Sequence, residues 1–195
     1  MPLTPGTPPR SGQRWLKLQA MFWLALGQDA RAMRVFDTML ARQPDDAHAL
    51  ASRAHHLAQA GRHDAAITDL QALVAAHPQR SGADWFNLAF LLEAADRPAD
   101  AAAAFRRALA LDDRLDRAWY GLGLALIRLG QPDEAARALK RNTELQPMSP
   151  YGWYQLARLQ ASRDNGAEAV KIIRHMRGFE PKVAAQLERE TGLTA

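Results

Sequence analysis

The sequence predicts an all-α fold, a solenoid of five antiparallel helix pairs with a C-terminal capping helix. The first observation is a period of 34 residues, which separates Trp85, Trp119 and Trp153. The second is that helix-ending residues repeat at the same interval, as Gly27 and Gly61 do. The third is that a small residue recurs at a fixed position of each unit. A period shared by several residue types indicates one repeated supersecondary unit.

Each unit contains two predicted helices of about 14 residues, joined by a short turn. The predicted pairs are 13–26 and 29–42, 47–60 and 63–76, 82–95 and 98–111, 116–129 and 132–145, and 150–163 and 166–178. Pro98, Pro132 and Pro150 stand where a first helical residue is expected, because proline has no hydrogen bond to lose there. The proline positions therefore support the helix starts.

The helix ends carry their own signals. Ser149 is a candidate N-cap, and Ser81 with Asp84 has the spacing of a capping box. Three glycines can adopt the left-handed conformation that ends a helix: Gly27, Gly61 and Gly130. Asp96 and Asp164 stand at the corresponding turns of repeats three and five. We expect these two turns to be non-standard.

Two positions of each repeat hold small residues, which let neighbouring helices approach closely. On the first helices these residues are Ala20, Ala54, Ala89, Gly123 and Ala157. On the second helices they are Ala32, Ala66, Ala101, Ala135 and Ala169. A bulky replacement at such a position is expected to overpack the interface between helices.

These residues resemble the tetratricopeptide repeat family. Repeat four matches the family pattern most fully, with Trp119, Leu122, Gly123, Leu126, Gly130, Ala135, Leu139 and Pro147. The resemblance covers about residues 13–181. It implies a right-handed superhelical solenoid whose first helices line a concave groove for a ligand polypeptide. The tryptophans fill packing positions of the family, so we interpret them as structural.

The expected domain organisation follows the repeat frame. Residues 1–12 form a disordered leader rich in proline and glycine. The five repeats are 13–46, 47–81, 82–115, 116–149 and 150–181, and the frame slips by one residue between the second and the third. Residues 182–195 form a capping helix and tail, because Val183 and Leu187 have helical spacing and a solenoid needs its end covered.

The composition excludes several classes of protein. The chain has no cysteine, which excludes disulfides, zinc–thiolate sites and a catalytic thiol. Its formal charge is +4, without the continuous basic stripe that a nucleic-acid partner requires. The apolar segment 18–27 is too short to span a bilayer, which takes about 20 residues. We therefore expect a cytoplasmic protein with no export signal and no membrane insertion, and the arginine- and alanine-rich composition is typical of a GC-rich bacterium.

No catalytic constellation is visible in the sequence. A glycine-rich phosphate loop and a Gly-x-Ser-x-Gly motif are both missing. The histidines His48, His55, His56 and His63 are not spaced to share one metal easily. We expect no enzyme activity, no catalytic residues, no cofactor and no metal.

The first helices carry a second apolar stripe, about 100° away from the packing face. The predicted partner-binding residues are Phe86, Phe90, Arg117, Tyr120, Leu124, Ile127, Arg128, Tyr151, Tyr154 and Arg158. The family resemblance places this face in the concave groove, with an aromatic floor and an arginine border. The same stripe could instead belong to the core between repeats, and the sequence leaves both interpretations open.

Two functions remain. The first is a scaffold, adaptor or assembly factor that binds a protein or peptide segment in the groove. The second is an accessory subunit of a larger enzyme or secretion complex that uses its convex face or its basic ends. The carboxylate clamp of chaperone-binding family members is not predicted, because only Asn87 and Arg117 fall at comparable positions while Ala51 and His55 replace other members.

Overall fold

The computed structural model describes residues 10–195, and every regular element in that range is an α-helix. The helices are α1 (Arg10–Ala25), α2 (Asp29–Arg42), α3 (Ala47–Gln59), α4 (His63–Ala76), α5 (Gly82–Ala94), α6 (Pro98–Leu111), α7 (Asp116–Arg128), α8 (Pro132–Leu145), α9 (Pro150–Ser162), α10 (Gly166–Arg177) and α11 (Pro181–Thr191). The predicted all-α solenoid of five helix pairs with a C-terminal helix is confirmed.

The described residues divide into two compact units, the first ending at Leu91 and the second beginning at Leu92. In the first unit α1 packs on α2, α2 on α3, and α3 on α4. In the second unit the consecutive helices from α6 to α11 pack in the same way, and α11 also contacts α9. The C-terminal helix therefore covers the last helix pair, as expected of a cap.

The start of the chain differs from the prediction. Helix α1 begins at Arg10, so residues 10–12, which we placed in the leader, are helical, while residues 1–9 lie outside the described part. The first turn is held by Gln13, whose amide donates to the carboxylate of Asp46 at 2.9 Å. This long-range hydrogen bond ties the beginning of α1 to the start of α3, and the local sequence gives no sign of it.

The turns at Asp96 and Asp164 are also different from our expectation. Their φ angles are 59° and 57°, close to the 67–72° of Gly27, Gly61 and Gly130. Aspartate tolerates the left-handed conformation better than most residues because its short side chain can hydrogen-bond locally. The prediction of non-standard turns is therefore wrong, and the helix pairs have the same turn of three residues.

The cap and linker predictions have mixed outcomes. The Ser81 hydroxyl accepts a hydrogen bond from the Ala83 amide at 3.0 Å, whereas Asp84 pairs with Arg80. Ser149 occupies the N-cap position of α9, but its side chain makes no cap hydrogen bond. The linker between α4 and α5 has one residue more than the other linkers between repeats, which accounts for the slip of the frame.

Each of the three periodic tryptophans donates a hydrogen bond to the linker that precedes its repeat. The indole N–H of Trp85 donates to the Pro78 carbonyl at 3.0 Å, that of Trp119 to Asp113 at 2.8 Å, and that of Trp153 to Pro147 at 2.9 Å. Each ring thus satisfies a carbonyl in an otherwise irregular segment. These contacts agree with the structural role predicted for the three residues.

The small residues of the second helices lie in the core. Ala32, Ala66, Ala101, Ala135 and Ala169 all have 0% exposure. Glycine makes room for a neighbouring helix at Gly152, where an added Cβ would lie 2.1 Å from Oδ1 of Asn142 on α8. The close approach of consecutive repeats therefore depends on missing side-chain volume.

Candidate functional site

Eight of the ten predicted partner-binding residues lie on α7 and α9, and we call them the first-helix surface. They are Arg117, Tyr120, Leu124, Ile127, Arg128, Tyr151, Tyr154 and Arg158. Helical spacing of three and four residues brings Tyr120, Leu124 and Ile127 to one face of α7. All three are half-buried, whereas Leu122 and Leu126 on the packing face are buried. The stripe is therefore neither a closed core nor a fully exposed surface.

The other two predicted residues, Phe86 and Phe90, belong to the first unit. They lie one helical turn apart on α5 with their ring centroids 6.4 Å apart and their planes nearly parallel. Phe86 is half-buried and Phe90 is 55% exposed. The repeat frame gives them the positions that Tyr120 and Leu124 occupy on α7.

On α9 the first-helix surface already binds a carboxylate of the same chain. The Tyr154 hydroxyl donates to Oε2 of Glu190, on the last turn of α11, at 2.6 Å. Nε of Arg158 lies 3.9 Å from the same oxygen, and the Arg158 guanidinium stands over the Tyr154 ring at 5.6 Å. The two residues form a small aromatic and cationic site for an anionic group.

The electrostatics of this site favour the carboxylate form of Glu190. The hydrogen bond from Tyr154, followed by one from Gln186, lowers the pKa of Glu190 below 4.5. The same hydrogen bond to Glu190 raises the pKa of Tyr154 above 10.0. The hydrogen bond stabilises the charged carboxylate and the neutral phenol. It therefore lowers the pKa of Glu190 and raises the pKa of Tyr154.

A second contact holds α11 at its other side. Arg177 forms an ion pair with Glu188, and the Ala195 amide donates to the same carboxylate at 3.0 Å. Beside Glu190 a cleft of about 560 Å³ opens over α9, lined by Tyr154, Arg158, Ala161, Ser162, Glu190 and Thr191. Sequence reasoning predicted the apolar side of α11 but missed Glu190, because its partner is 36 residues away.

Arg128 has a different environment from the other arginines of the first-helix surface. Its guanidinium pairs with Glu93 at 2.7 Å and with Asp96 in the turn that follows α5. These ion pairs hold Arg128 against the left-handed turn at Asp96, so part of its hydrogen-bonding capacity is used within the fold. Arg117 and Arg158 are exposed, and Tyr151 is 69% exposed.

Four of the histidines in repeat two lie on α3 and at the start of α4. In the described range no group of three histidine or carboxylate side chains is arranged to hold a metal ion. His48 lies against Phe36 with a ring distance of 6.3 Å. Burial lowers the pKa of His48, with smaller contributions in the same direction from Lys17 and Arg80 and an opposing one from Asp46.

The helices of residues 10–195 include none that is long and apolar enough to cross a bilayer.

A second cleft, of about 540 Å³, lies on the side of the second helices α8 and α10. Its apolar floor includes Trp153, Leu156 and Ile172, and Arg137 and Lys140 stand at its margin. The ring of Trp153 is tilted against His175 with centroids 4.7 Å apart. The sequence pattern does not single out this cleft, because its residues come from three helices.

Models described as tetratricopeptide repeat match the chain at residues 24–81 and at residues 92–154. No curated protein is a significant sequence match. Several solved structures have the same fold. The crystal structure of MamA protein is 20% identical, with 92% of this chain and 93% of that chain covered and a TM-score of 0.77.

Two further structures have similar scores. YrrB, described as a TPR protein with an unusual peptide-binding site, is 19% identical, with 87% and 88% of the two chains covered and a TM-score of 0.78. A tetratricopeptide repeat protein from Parabacteroides merdae is 17% identical, with 93% of this chain and 74% of that chain covered and a TM-score of 0.76. At these identities the likeness establishes the fold alone.

Proposed function

The chain belongs to the tetratricopeptide repeat family, and from this premise we propose that it is a non-catalytic scaffold or adaptor that binds a segment of a partner protein on the first-helix surface. The partner segment combines apolar side chains with at least one carboxylate. The apolar side chains contact Tyr120, Leu124 and Ile127, and the carboxylate displaces Glu190 from Tyr154 and binds there beside Arg158.

The observation that carries this proposal is the hydrogen bond between Tyr154 and Glu190. A surface that binds a carboxylate of its own chain at 2.6 Å has the donors to bind one from a partner. Half-buried apolar side chains on α7, the first helix of the preceding repeat, supply the area that a peptide needs to gain affinity. The description of YrrB as having a peptide-binding site supports the same class of ligand.

The proposal is tested by site-specific photo-crosslinking in the native host. A photoreactive phenylalanine analogue replaces Tyr120 in one variant and the exposed Lys171, on the second helix α10, in the matched control. We expect a specific crosslinked partner from position 120 and none from position 171. Adding Leu124→Ala to the first variant should remove most of the crosslink while circular dichroism stays unchanged.

Crosslinking of the same partner from position 171, or crosslinking from position 120 that survives Leu124→Ala, would contradict the assignment of the surface. A partner that is crosslinked from position 120 is identified by mass spectrometry of the crosslinked peptide. Its sequence provides an additional check, because the crosslinked segment should contain an acidic side chain near apolar residues.

The cleft between α8 and α10 favours a second candidate function, that of an accessory subunit bound through its convex face. An apolar floor with two cations at its margin resembles a docking site for an acidic helix. The charge reversal Lys140→Glu with Arg137→Glu should then release the chain from its complex. Release by these changes without an effect of Leu124→Ala would favour this function over the first.

A further inference from the structure

Helix α1 presents an apolar face that no described residue covers. Its exposed side chains are Trp15 at 65%, Leu18 at 60%, Met21 at 52%, Phe22 at 55% and, just beyond the helix, Leu26 at 54%. Trp15, Leu18, Phe22 and Leu26 are spaced by three or four residues and so share one side. The opposite side packs into the repeat through Leu16 and Ala20. Such a concentration of exposed large apolar side chains marks an interaction surface.

This face is not shaped like the stacking face of the later repeats. The repeat frame aligns Trp15 with Ala49, Asp84, Ala118 and Gly152, and all four are buried. A Cβ at Gly152 would already lie 2.1 Å from Asn142 of the preceding second helix. Tryptophan at this position therefore prevents a further repeat from stacking on α1 in the same way.

Leu18 also differs from the residues at the equivalent position of the later repeats. Its equivalents on the later first helices are Ser52, Asn87, Gly121 and Gln155. A Cβ at Gly121 would lie 2.3 Å from the Phe105 ring. At the positions of Trp15 and Leu18, α1 thus carries apolar side chains unlike those of the later first helices, which argues against another repeat as the partner of this face.

The charge in and near α1 is mostly positive. From residue 12 to residue 36 the cations are Arg14, Lys17, Arg31 and Arg34, against Asp29 as the acid. Arg14 and Lys17 are exposed on α1 itself, and Arg31 lies over the Trp23 ring at 4.6 Å. A second copy of the chain would bring these cations together, whereas an anionic surface would neutralise them.

We propose that α1 binds an anionic phospholipid surface, lying in the plane of the interface. Tryptophan and phenylalanine are the side chains that favour the boundary between headgroups and acyl chains, and cations beside them contact lipid phosphates. The five side chains lie on α1 and on the residue that follows it, and they need no complementary groove, which suits a fluid lipid surface better than a partner protein of fixed shape. The binding is peripheral, since a helix of 16 residues is too short to span the bilayer.

The test is flotation of the full chain with phosphatidylcholine vesicles, prepared with and without phosphatidylglycerol. We expect binding to the anionic vesicles only, and release at high salt because the cations are screened. Trp15→Ser combined with Phe22→Ser should reduce binding about tenfold or more, since the apolar area that enters the interface is lost. Met148→Ser, at a comparably exposed apolar residue in the linker before α9, is the matched control and should bind as the unchanged chain does.

Failure of the unchanged chain to bind anionic vesicles would overturn the proposal, and so would binding that is unaffected by the double substitution. A concentration-dependent dimer in light scattering, abolished by Trp15→Ser and Phe22→Ser in a chain that does not bind vesicles, would identify a second copy as the occupant instead. Thermal unfolding of the double variant checks that the repeat is intact, because the replaced side chains are exposed and their loss should leave the core unchanged.

Discussion

The hydroxyl of Tyr154 on α9 donates to the carboxylate of Glu190 on α11 at 2.6 Å. This contact joins a first helix of the last repeat to the C-terminal helix, whose apolar side already packs on α9 and α10. It also occupies a donor that the proposed function assigns to a partner. The attachment of α11 and the availability of Tyr154 are therefore linked.

The contact should depend on pH at both ends of the scale. The pKa of Glu190 is lowered, so the contribution of its carboxylate to the attachment of α11 is present above the ordinary pKa of 4.5. This contribution is lost as the pH falls through the lowered pKa. The pKa of Tyr154 is raised, so its contribution is present below 10.0 and is lost as the pH rises through the raised pKa. In Tyr154→Phe the midpoint of Glu190, measured by carbon-13 NMR of the carboxyl group, should move up towards 4.5.

The matched control for this titration is Tyr151→Phe, three residues earlier on α9. Tyr151 is 69% exposed, and its hydroxyl should have no influence on Glu190. An unchanged Glu190 midpoint in Tyr154→Phe, or an equal change in both variants, would mean that the phenol does not hold the carboxylate.

Arg53 should be the most important polar residue for the stability of the first unit. It forms two hydrogen bonds to Asp69, at 2.7 and 2.6 Å, and one to Asp37 at 2.7 Å. Asp69 is only 4% exposed, so Arg53→Met leaves a buried carboxylate without its main donor. We expect a loss of about 1–3 kcal/mol in the free energy of unfolding, measured by urea denaturation.

The double variant Arg53→Met with Asp69→Leu separates the ion pair from the loss of packing. Because removal of both partners leaves no buried charge, it should recover a large part of the stability lost in the single variant. A double variant that is as unstable as Arg53→Met would show that the arginine acts through its packing and not through Asp69.

Gly152→Ala should weaken the contact between repeats four and five. The new methyl group would displace Asn142, whose side chain donates to the Asp116 carbonyl at 2.8 Å. We expect a loss of about 1–3 kcal/mol, seen as a lower midpoint in thermal unfolding. Gly166→Ala is the matched control, because its Cβ would meet its nearest neighbour, Leu193, at an ordinary 3.5 Å. An equal effect of both substitutions would contradict the steric explanation.

His48 should make the stability of the first unit depend on pH below 6.5. Burial lowers its pKa below 6.5, so the unfolded chain binds a proton at a higher pH than the folded chain does. The free energy of unfolding should therefore rise with pH between the lowered pKa and 6.5. Urea denaturation on both sides of this interval should show a weaker rise in His48→Gln, with His63→Gln, at an exposed residue, as the control.

The sequence predicts the helices well because their ends are decided locally. Prolines at first helical positions and glycines in left-handed turns act within a few residues, and most predicted bounds agree with the structure to within one residue. Asp96 and Asp164 show the limit of this reasoning, because a non-glycine residue in the left-handed conformation looks like a departure when only residue types are compared. Its actual φ depends on the helices on both sides.

The contacts of the candidate site could not be predicted in the same way. Glu190 and Tyr154 are 36 residues apart, and Arg53 is 16 residues from each of its two acids. Nothing in the local pattern selects these partners from the other charged residues. The apolar stripe itself was visible, yet its half-buried state depends on how closely adjacent helices pack. The exposed face of α1 was not predicted, because Trp15, Leu18 and Phe22 are as apolar as Leu16 and Ala20, so residue type alone does not show which side of the helix is covered.

The tryptophans that fasten the linkers also give the chain a set of spectroscopic probes. Trp85, Trp119 and Trp153 sit at one position of three successive repeats, and each indole N–H is held by a carbonyl of the linker before it. When a linker detaches, its indole enters water and its fluorescence emission shifts to longer wavelength. Variants in which Trp15 and Trp23 are also replaced, so that one of the three indoles is the remaining tryptophan, would therefore report whether the repeats unfold together or one after another. This order distinguishes a cooperative domain from a linear array.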